Sequence, residues 1–231
     1  MQASDSSLAI LTVAPTAREL GGLQARTEST RVGVVGIGRS AGERTAGLLD
    51  GAGCRLLLSV GFAGALDPRL QPSDVVVVNV CLDGSGAALP AGALASRTVV
   101  LLRQAGVSTV EGGVLTVDEP LLTPQAKRRA HEGSGALVVD MEGCWIAGAA
   151  AARGVPFVAL RVVLDEAEFE LPEFVATIIA DQGRREWAHA VRGLRSLSTA
   201  RSLLPLALRS RRAALALQRA AQSILPALAQ V

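Results

Sequence analysis

Three carboxylates, Glu19, Glu142 and Asp165, stand where the pattern of this 231-residue chain turns from strand to loop or helix. Carboxyl groups held in unlike surroundings can divide acid and base work, one kept protonated and the other ionised. Each also has a plain structural use. Glu142 opens a helix, where negative charge favours the positive end of the dipole. Asp165, with Glu166 and Glu168, could cap or solvate the next helix, and Glu19 could lie on an exposed helical face. Metal chemistry has less to draw on. Cys54, Cys81 and Cys144 show no CxxC pairing, and His131 and His189 are the only histidines, so spacing assembles no ligand cluster. No cofactor is expected.

The elements that must position these groups are read from apolar runs and their punctuation. Leu8–Val13 reads as a buried strand, with Pro15 and a helical stretch from Ala17 behind it. Arg31–Ile37 is a second strand, after which Ser40 is placed to cap a helix running to Leu49. Arg55–Val60 is a third, closed by Gly61-Phe62-Ala63-Gly64, and the valine-rich Asp74–Val80 a fourth. Leu94–Gln104 is a helix with an apolar face, Val107–Val117 a strand region, Pro124–His131 a helix and Ala136–Val139 a strand. Glu142–Arg153 is an Ala-rich helix stopped by Gly154, and Val155–Val163 a further strand. Strands without polar alternation, interleaved with helices, imply a sheet covered on both faces. Half of the residues are apolar, with 24 glycines and only six Phe and Trp, which suits such a sheet. The expectation is a three-layer α/β/α fold with a mostly parallel, mixed central sheet and a helical C-terminal tail. Ligands of such sheets bind at the carboxyl ends of strands, so the loops after Val13, Ile37, Val60, Val139 and Val163 are where chemistry belongs.

The stretch Val138-Val139-Asp140-Met141-Glu142-Gly143, followed by Leu160-Arg161-Val162-Val163-Leu164-Asp165, resembles the nucleoside phosphorylase and nucleosidase superfamily. That family pairs a Met-Glu at a strand-to-helix junction with an Asp after the next strand. Gly36-Ile37-Gly38-Arg39, Val60-Gly61-Phe62-Ala63-Gly64-Ala65-Leu66 with Asp74-Val75-Val76-Val77, and Asp118-Glu119-Pro120 agree in order. The resemblance extends from about Leu8 to Pro172. It implies cleavage of the N-glycosidic bond of a purine nucleoside. Glu142 would hold the ribose hydroxyls and favour the developing cation. Met141 would pack on the ribose, with a core methionine as its plain reading. Asp165 would donate a proton toward N7 of the purine, and Glu19 would deprotonate water. Gly61, Phe62, Ala63 and Asp118 fall at matched substrate-binding segments.

Whether water or phosphate attacks is read at Gly38, Arg39 and Ser59. Family phosphorylases tend to carry an arginine near the end of the third strand; here that stretch is Leu57-Leu58-Ser59-Val60. Arg39 is the nearby cation left to substitute, and together with Glu19 this leans toward hydrolysis. Phe62 and Leu164 depart from the family, standing where a hydroxyl is usual. They imply a more apolar pocket or a reduced activity.

Charge divides the chain unevenly. From Arg184 onward there are nine arginines and one acidic residue, Glu186, close to +8; Met1 to Gly183 carries 14 basic and 20 acidic residues, or −6. The expected division is a catalytic domain over 1–183 and a basic amphipathic tail over 184–231, broken at Pro205 and Pro226. Leu197, Leu204, Leu208 and Leu215 recur at helical spacing, with Arg192, Arg195, Arg209, Arg211, Arg212 and Arg219 nearby. One reading is helices packed on the sheet with a solvated arginine face. The other, with Trp187, is an interfacial helix on an anionic membrane. Nucleic acid is not expected, since aromatic interleaving is absent. The tail from Gly193-Leu194-Arg195-Ser196-Leu197 to Arg211-Arg212-Ala213-Ala214-Leu215 also resembles the hopanoid-associated phosphorylase subfamily, which implies release of adenine from a lipid-linked nucleoside such as adenosylhopane. Methylthioadenosine/adenosylhomocysteine-type or futalosine-type cleavage, or a phosphate-dependent phosphorylase, is the alternative within the family.

Rivals of other classes remain. Gly36-Ile37-Gly38-Arg39-Ser40-Ala41 fits a dinucleotide fingerprint after a strand, but the next strand ends at Ser59-Val60-Gly61 with no acid before Asp67. A non-catalytic nucleoside-binding protein on the same fold would account for Phe62 and Leu164. The N-terminus has no positive n-region and no apolar run reaches the length of a spanning helix. The expected setting is the cytoplasm, peripheral on the inner membrane face if the tail binds lipid, with the chain as a homo-oligomer.

Overall fold

Runs of valine, leucine and alanine uninterrupted by polar residues make strands with no face to offer water. The computed structural model describes residues 10–21, 23, 30–91, 94–172 and 197–229 and buries those runs in one eight-stranded sheet. The strands are β1 (Ile10–Ala14), β2 (Thr30–Val34), β3 (Leu56–Ala65), β4 (Val75–Asp83), β5 (Ala88–Pro90), β6 (Thr109–Thr116), β7 (Val138–Asp140) and β8 (Phe157–Asp165). The helices are α1 (Ala17–Leu20), α2 (Ser40–Ala52), α3 (Leu94–Gln104), α4 (Pro124–Ser134), α5 (Gly143–Ala151) and α6 (Leu197–Leu228).

Strands β2, β1, β3 and β8 run parallel, as do β4, β6 and β7. The two sets join through antiparallel pairs, β8 with β4 and β7 with β3, so β3, β8, β4, β6 and β7 close into a ring. The short β5, which no sequence signal announced, adds antiparallel to β4. One face is covered by α2 and α5, whose Ala41, Leu49, Ile146 and Ala147 pack on Leu57 and Ala159. The other is covered by α3 and α6, with Val99, Leu102, Leu217 and Ile224 on Leu58, Val60, Leu160 and Val162. This is the expected three-layer mixed α/β arrangement.

Three local expectations are corrected. Gly61 to Gly64 do not close the third strand; β3 continues to Ala65 because β8 hydrogen-bonds along it, from Leu57 opposite Phe157 to Gly64 opposite Asp165, with a bulge at Ala63/Gly64. Ser40 is the first residue of α2 and not its cap; Arg39 holds that position, and Ser40 Oγ donates to Ile37 O. Pro205 and Pro226 do not break the tail, since α6 passes through both. A proline removes one helical hydrogen bond, and packing outweighs that loss: Ala213, Leu217, Ala220, Ala221, Ile224 and Leu228 recur on one face and are buried against the sheet.

The boundary expected near residue 183, with Trp187, Arg192 and Arg195, lies outside the described residues, as do the side chains of Leu197 and Leu204. No helix among the described residues is long and apolar enough to cross a membrane.

Candidate active site

Arg161, in the middle of an apolar strand, is the largest fully buried side chain of the described residues. A buried guanidinium needs partners. Its Nε donates to Asp140 Oδ2 at 2.7 Å, and its Nη1 donates to Ser59 Oγ at 3.2 Å and to Leu160 O at 3.1 Å. Its Nη2 has no hydrogen-bond partner among the described residues. Asp140, the last residue of β7, also accepts from Thr116 Oγ1 at 2.7 Å and from Gly143 N at 3.1 Å. It therefore caps α5 in place of Glu142, which occupies the N-cap position without using its side chain there. A β-carbon at Gly143 would lie 2.7 Å from Asp140 Oδ2, so this close approach requires glycine.

Freed from capping, the Glu142 carboxylate turns inward and accepts from Gly38 N at 3.3 Å. Gly38 sits at a φ of 75°, which the β2–α2 turn obtains at low cost only from glycine. Glu142 is 5% exposed. Burial, then repulsion from Asp140 and Glu19, pushes its carboxyl up to about 8, against the pull of Arg161 and the Gly38 amide.

Glu19 arrives from α1. Its Oε2 accepts from Thr16 N at 3.0 Å and Thr16 Oγ1 at 2.7 Å, closing a capping box, while Oε1 accepts from Phe62 N at 2.8 Å. Burial raises its pKa, and the Phe62 and Thr16 donors and Arg161 oppose the rise. A β-carbon at Gly61 would sit 3.3 Å from Glu19 Oε1, a tight approach, so the glycine leaves room for the carboxylate.

Asp165 ends β8 three residues further along the β3 edge. A β-carbon at Gly64 would be 3.4 Å from its Oδ2. At an extended rise this places it about 10 Å beyond the Gly61 level. Its Oδ2 accepts from Lys127 Nζ of α4, and both side chains are almost wholly buried. Burial raises the Asp165 pKa, and the Lys127 and Arg209 charges pull against it.

Glu19, Glu142, Gly38, Ser59 and Gly61 thus gather around Arg161, with Asp165 along the same strand pair. Met141 is half-buried beside Glu142, and Ala63 is buried in the core between sheet, α2 and α5. Arg39 and Asp118 are not drawn into this group. They pair with each other at 3.0 and 2.9 Å, both more than 60% exposed, with the Arg39 guanidinium 4.3 Å over the Trp145 ring. The side chains of Phe62 and Leu164 join the cluster beneath α6, on the face opposite Ser59 and Arg161. Phe62 meets the carboxylate group only through its backbone N–H. Three members of the site had no role assigned from the sequence: Asp140, Arg161 and Lys127.

The Phosphorylase superfamily profile matches residues 29–192. No curated protein matches the sequence. Among solved structures the chain is similar to the 5'-methylthioadenosine/S-adenosyl homocysteine nucleosidase of Campylobacter jejuni, with a TM-score of 0.65 and 16% identity, covering 80% of this chain and 97% of that one. Native futalosine hydrolase of Helicobacter pylori superposes with a TM-score of 0.69 and 16% identity over 95% and 99% of the two chains. The S-adenosylhomocysteine nucleosidase of Streptococcus pyogenes gives 0.62 and 20% identity over 81% and 96%. At these identities the likeness is one of fold.

Proposed function

The chain belongs to the phosphorylase superfamily, and from that premise we propose that it hydrolyses the N-glycosidic bond of an adenine nucleoside. The observation that carries this reading is the placement of three buried carboxylates from three separate elements along the β3–β8 pair, Glu19 and Glu142 beside Arg161 and Asp165 about 10 Å further on. Cleavage passes through a sugar with oxocarbenium character, which needs a base for the attacking water, negative charge near the ribose and an acid for the leaving purine. Glu19 takes the proton from water. Glu142 accepts hydrogen bonds from the ribose hydroxyls, and those donors bring its raised carboxyl back to the charged form that favours the cation. Met141 packs on the sugar. Asp165, raised by burial, gives its proton to the purine ring nitrogen.

Water fits this group better than phosphate does. Arg161, the cation at its centre, already faces Asp140, Glu142 and Glu19, which would repel a phosphate dianion. Arg39 is committed to Asp118. The open Nη2 of Arg161 suits an uncharged acceptor. The solved relatives are named for 5'-methylthioadenosine, S-adenosylhomocysteine and futalosine, so a 5′-substituted nucleoside is the class to test.

A finer reading, a lipid-linked adenine nucleoside such as adenosylhopane presented at a membrane, is supported by α6. Leu208 and Leu215 are 51% and 48% exposed, and the neighbouring Arg211, Arg212 and Arg219 are exposed with them. Apolar side chains set among arginines match an anionic lipid surface.

The test is incubation with adenosine, methylthioadenosine and a lipid-linked adenosine, with released adenine followed by chromatography. Glu142→Ala and Asp165→Asn are each expected to lower release by about 100-fold or more, the scale of a lost charge stabiliser or acid. No adenine from any of the three substrates would overturn the reading.

A further inference from the structure

Helix α4 is largely polar, and Lys127 is its one buried residue. An ammonium has three protons to donate, and here all three find acceptors within one short stretch. Asp165 Oδ2 lies at 2.5 Å, Glu166 O at 2.8 Å and Phe169 O at 2.9 Å. The same stretch is held from its other side by Arg209 of α6, which pairs with Glu166 Oε2 at 3.0 Å and lies 4.0 Å over the Phe169 ring. Uncharged donors would suffice to close a turn of this size. A charge withdrawn from water at a considerable desolvation cost is useful where the partner's own charge changes.

We propose that Lys127 is the positioning residue of the general acid: it aims the Asp165 carboxyl and stabilises the carboxylate left behind when the proton departs. The inference rests on the glycosidic-cleavage reading above. As the bond from sugar to base breaks, its electron pair passes to the purine. The Asp165 proton moves to the ring nitrogen, and the O–H electron pair stays on Asp165 beside Lys127, which keeps its three protons. Water supplies hydroxide to the sugar carbon and its remaining proton to Glu19. Both carboxyls then exchange with solvent to restore the starting state.

The groups facing Asp165 are Lys127 from α4, Arg209 from α6 and Glu166 next along the chain; the two cations favour the carboxylate and Glu166 opposes it. Replacing Lys127 by methionine therefore makes Asp165 a weaker acid.

The experiment compares two substrates in the full-length protein. Adenosine needs a proton on its leaving base, whereas 4-nitrophenyl riboside has a leaving group that departs without one. In Lys127→Met the ratio of adenosine to nitrophenyl-riboside turnover is expected to fall tenfold or more. The basic limb of kcat/KM for adenosine is expected to move up by about one pH unit or more, since loss of a nearby cation raises a carboxyl pKa. In an Asp165→Asn background, Lys127→Met should leave the ratio where Asp165→Asn put it. Equal losses on both substrates with an unmoved limb would reduce Lys127 to a structural brace and overturn the proposal. A wild-type protein that cleaves neither substrate would overturn the cleavage reading itself, a separate and distinguishable failure.

Discussion

Arg161 of β8 reaches across to Asp140 of β7, Nε to Oδ2 at 2.7 Å, and each side chain is 1% exposed. Through Gly143 N the same aspartate holds the start of α5, and with it the junction bearing Met141 and Glu142. The pair therefore ties the fold to the proposed chemistry: the strand that ends in Asp165 and the helix that begins after Glu142 share one buried ion pair.

Removing one partner of such a pair leaves an uncompensated buried charge. Asp140→Ala is expected to destabilise the protein by about 3–5 kcal/mol. In denaturant unfolding, Asp140→Ala/Arg161→Met should cost less than the two single changes added together, because the double variant strands neither charge. Strict additivity of the two losses would show that the side chains do not depend on each other.

The role proposed for Glu142 sets activity against stability. Its carboxyl is raised from an ordinary 4.5 to about 8 in the folded chain. A group whose folded pKa is raised contributes stability that is fully present below its unfolded pKa and is lost as pH rises through the folded value. The window is thus about pH 4.5 to 8. Glu142→Gln should therefore melt higher than the wild type at pH 8 and above, with the gap closing toward pH 4.5, while adenine release falls by about 100-fold. Thermal scans across that range read the first effect and chromatography the second. A variant that melts lower than wild type at alkaline pH would contradict the assigned cost of burying that charge beside Asp140 and Glu19.

The base role proposed for Glu19 requires an ionised carboxyl. Burial raises Glu19 above the usual carboxylate range, so kcat/KM is expected to fall on the acid side at a pH higher than an exposed glutamate would give. Thr16→Val removes one donor to its Oε2 and should move that limb further up in pH. A limb that moves down, or stays fixed, would remove Glu19 from the role of base.

Nucleophile identity follows from charge placement. With Arg39 tied to Asp118 and Arg161 facing three carboxylates, turnover should be indifferent to added inorganic phosphate, and the sugar product should be free ribose or its 5′-substituted form. Mass spectrometry of the products decides it. A phosphorylated sugar would sink the hydrolytic reading.

Much of this architecture could be read from the residues, and the failures have physical causes. Apolar runs located all the strands except β5, a three-residue strand containing Pro90. Gly61 and Gly64 read as a loop because glycine usually marks a turn. They lie in a strand, where a β-carbon would press on Glu19 from position 61 and on Val139 from position 64. Arg161 left a usable signal, a lone charge inside the apolar run Val155–Val163, since a buried polar group is the informative exception. Lys127 left none. It precedes Arg128 and Arg129, and a run of cations on a polar helix normally means a solvated face; only the fold shows that the first of the three turns inward. The prolines of α6 misled because local propensity yields to an apolar face that the sheet covers.

That apolar face also dictates how a membrane role must be tested. Deleting the chain after Pro172 would remove α6 and uncover the sheet beneath Leu217 and Ile224, so loss of binding would say little beyond loss of the fold. Substitutions on the outer face are cleaner. Leu208→Ser/Leu215→Ser and, separately, Arg211→Glu/Arg212→Glu change exposed side chains and should each shift the melting temperature little. If α6 meets an anionic surface, both should reduce cosedimentation with phosphatidylglycerol vesicles, the arginine pair more strongly at low salt, where charge is least screened. Turnover of soluble adenosine should be retained in both, because neither pair touches the carboxylate group. Vesicle binding equal to wild type in both variants would leave the exposed leucines and arginines of α6 as no more than the solvated back of a core helix.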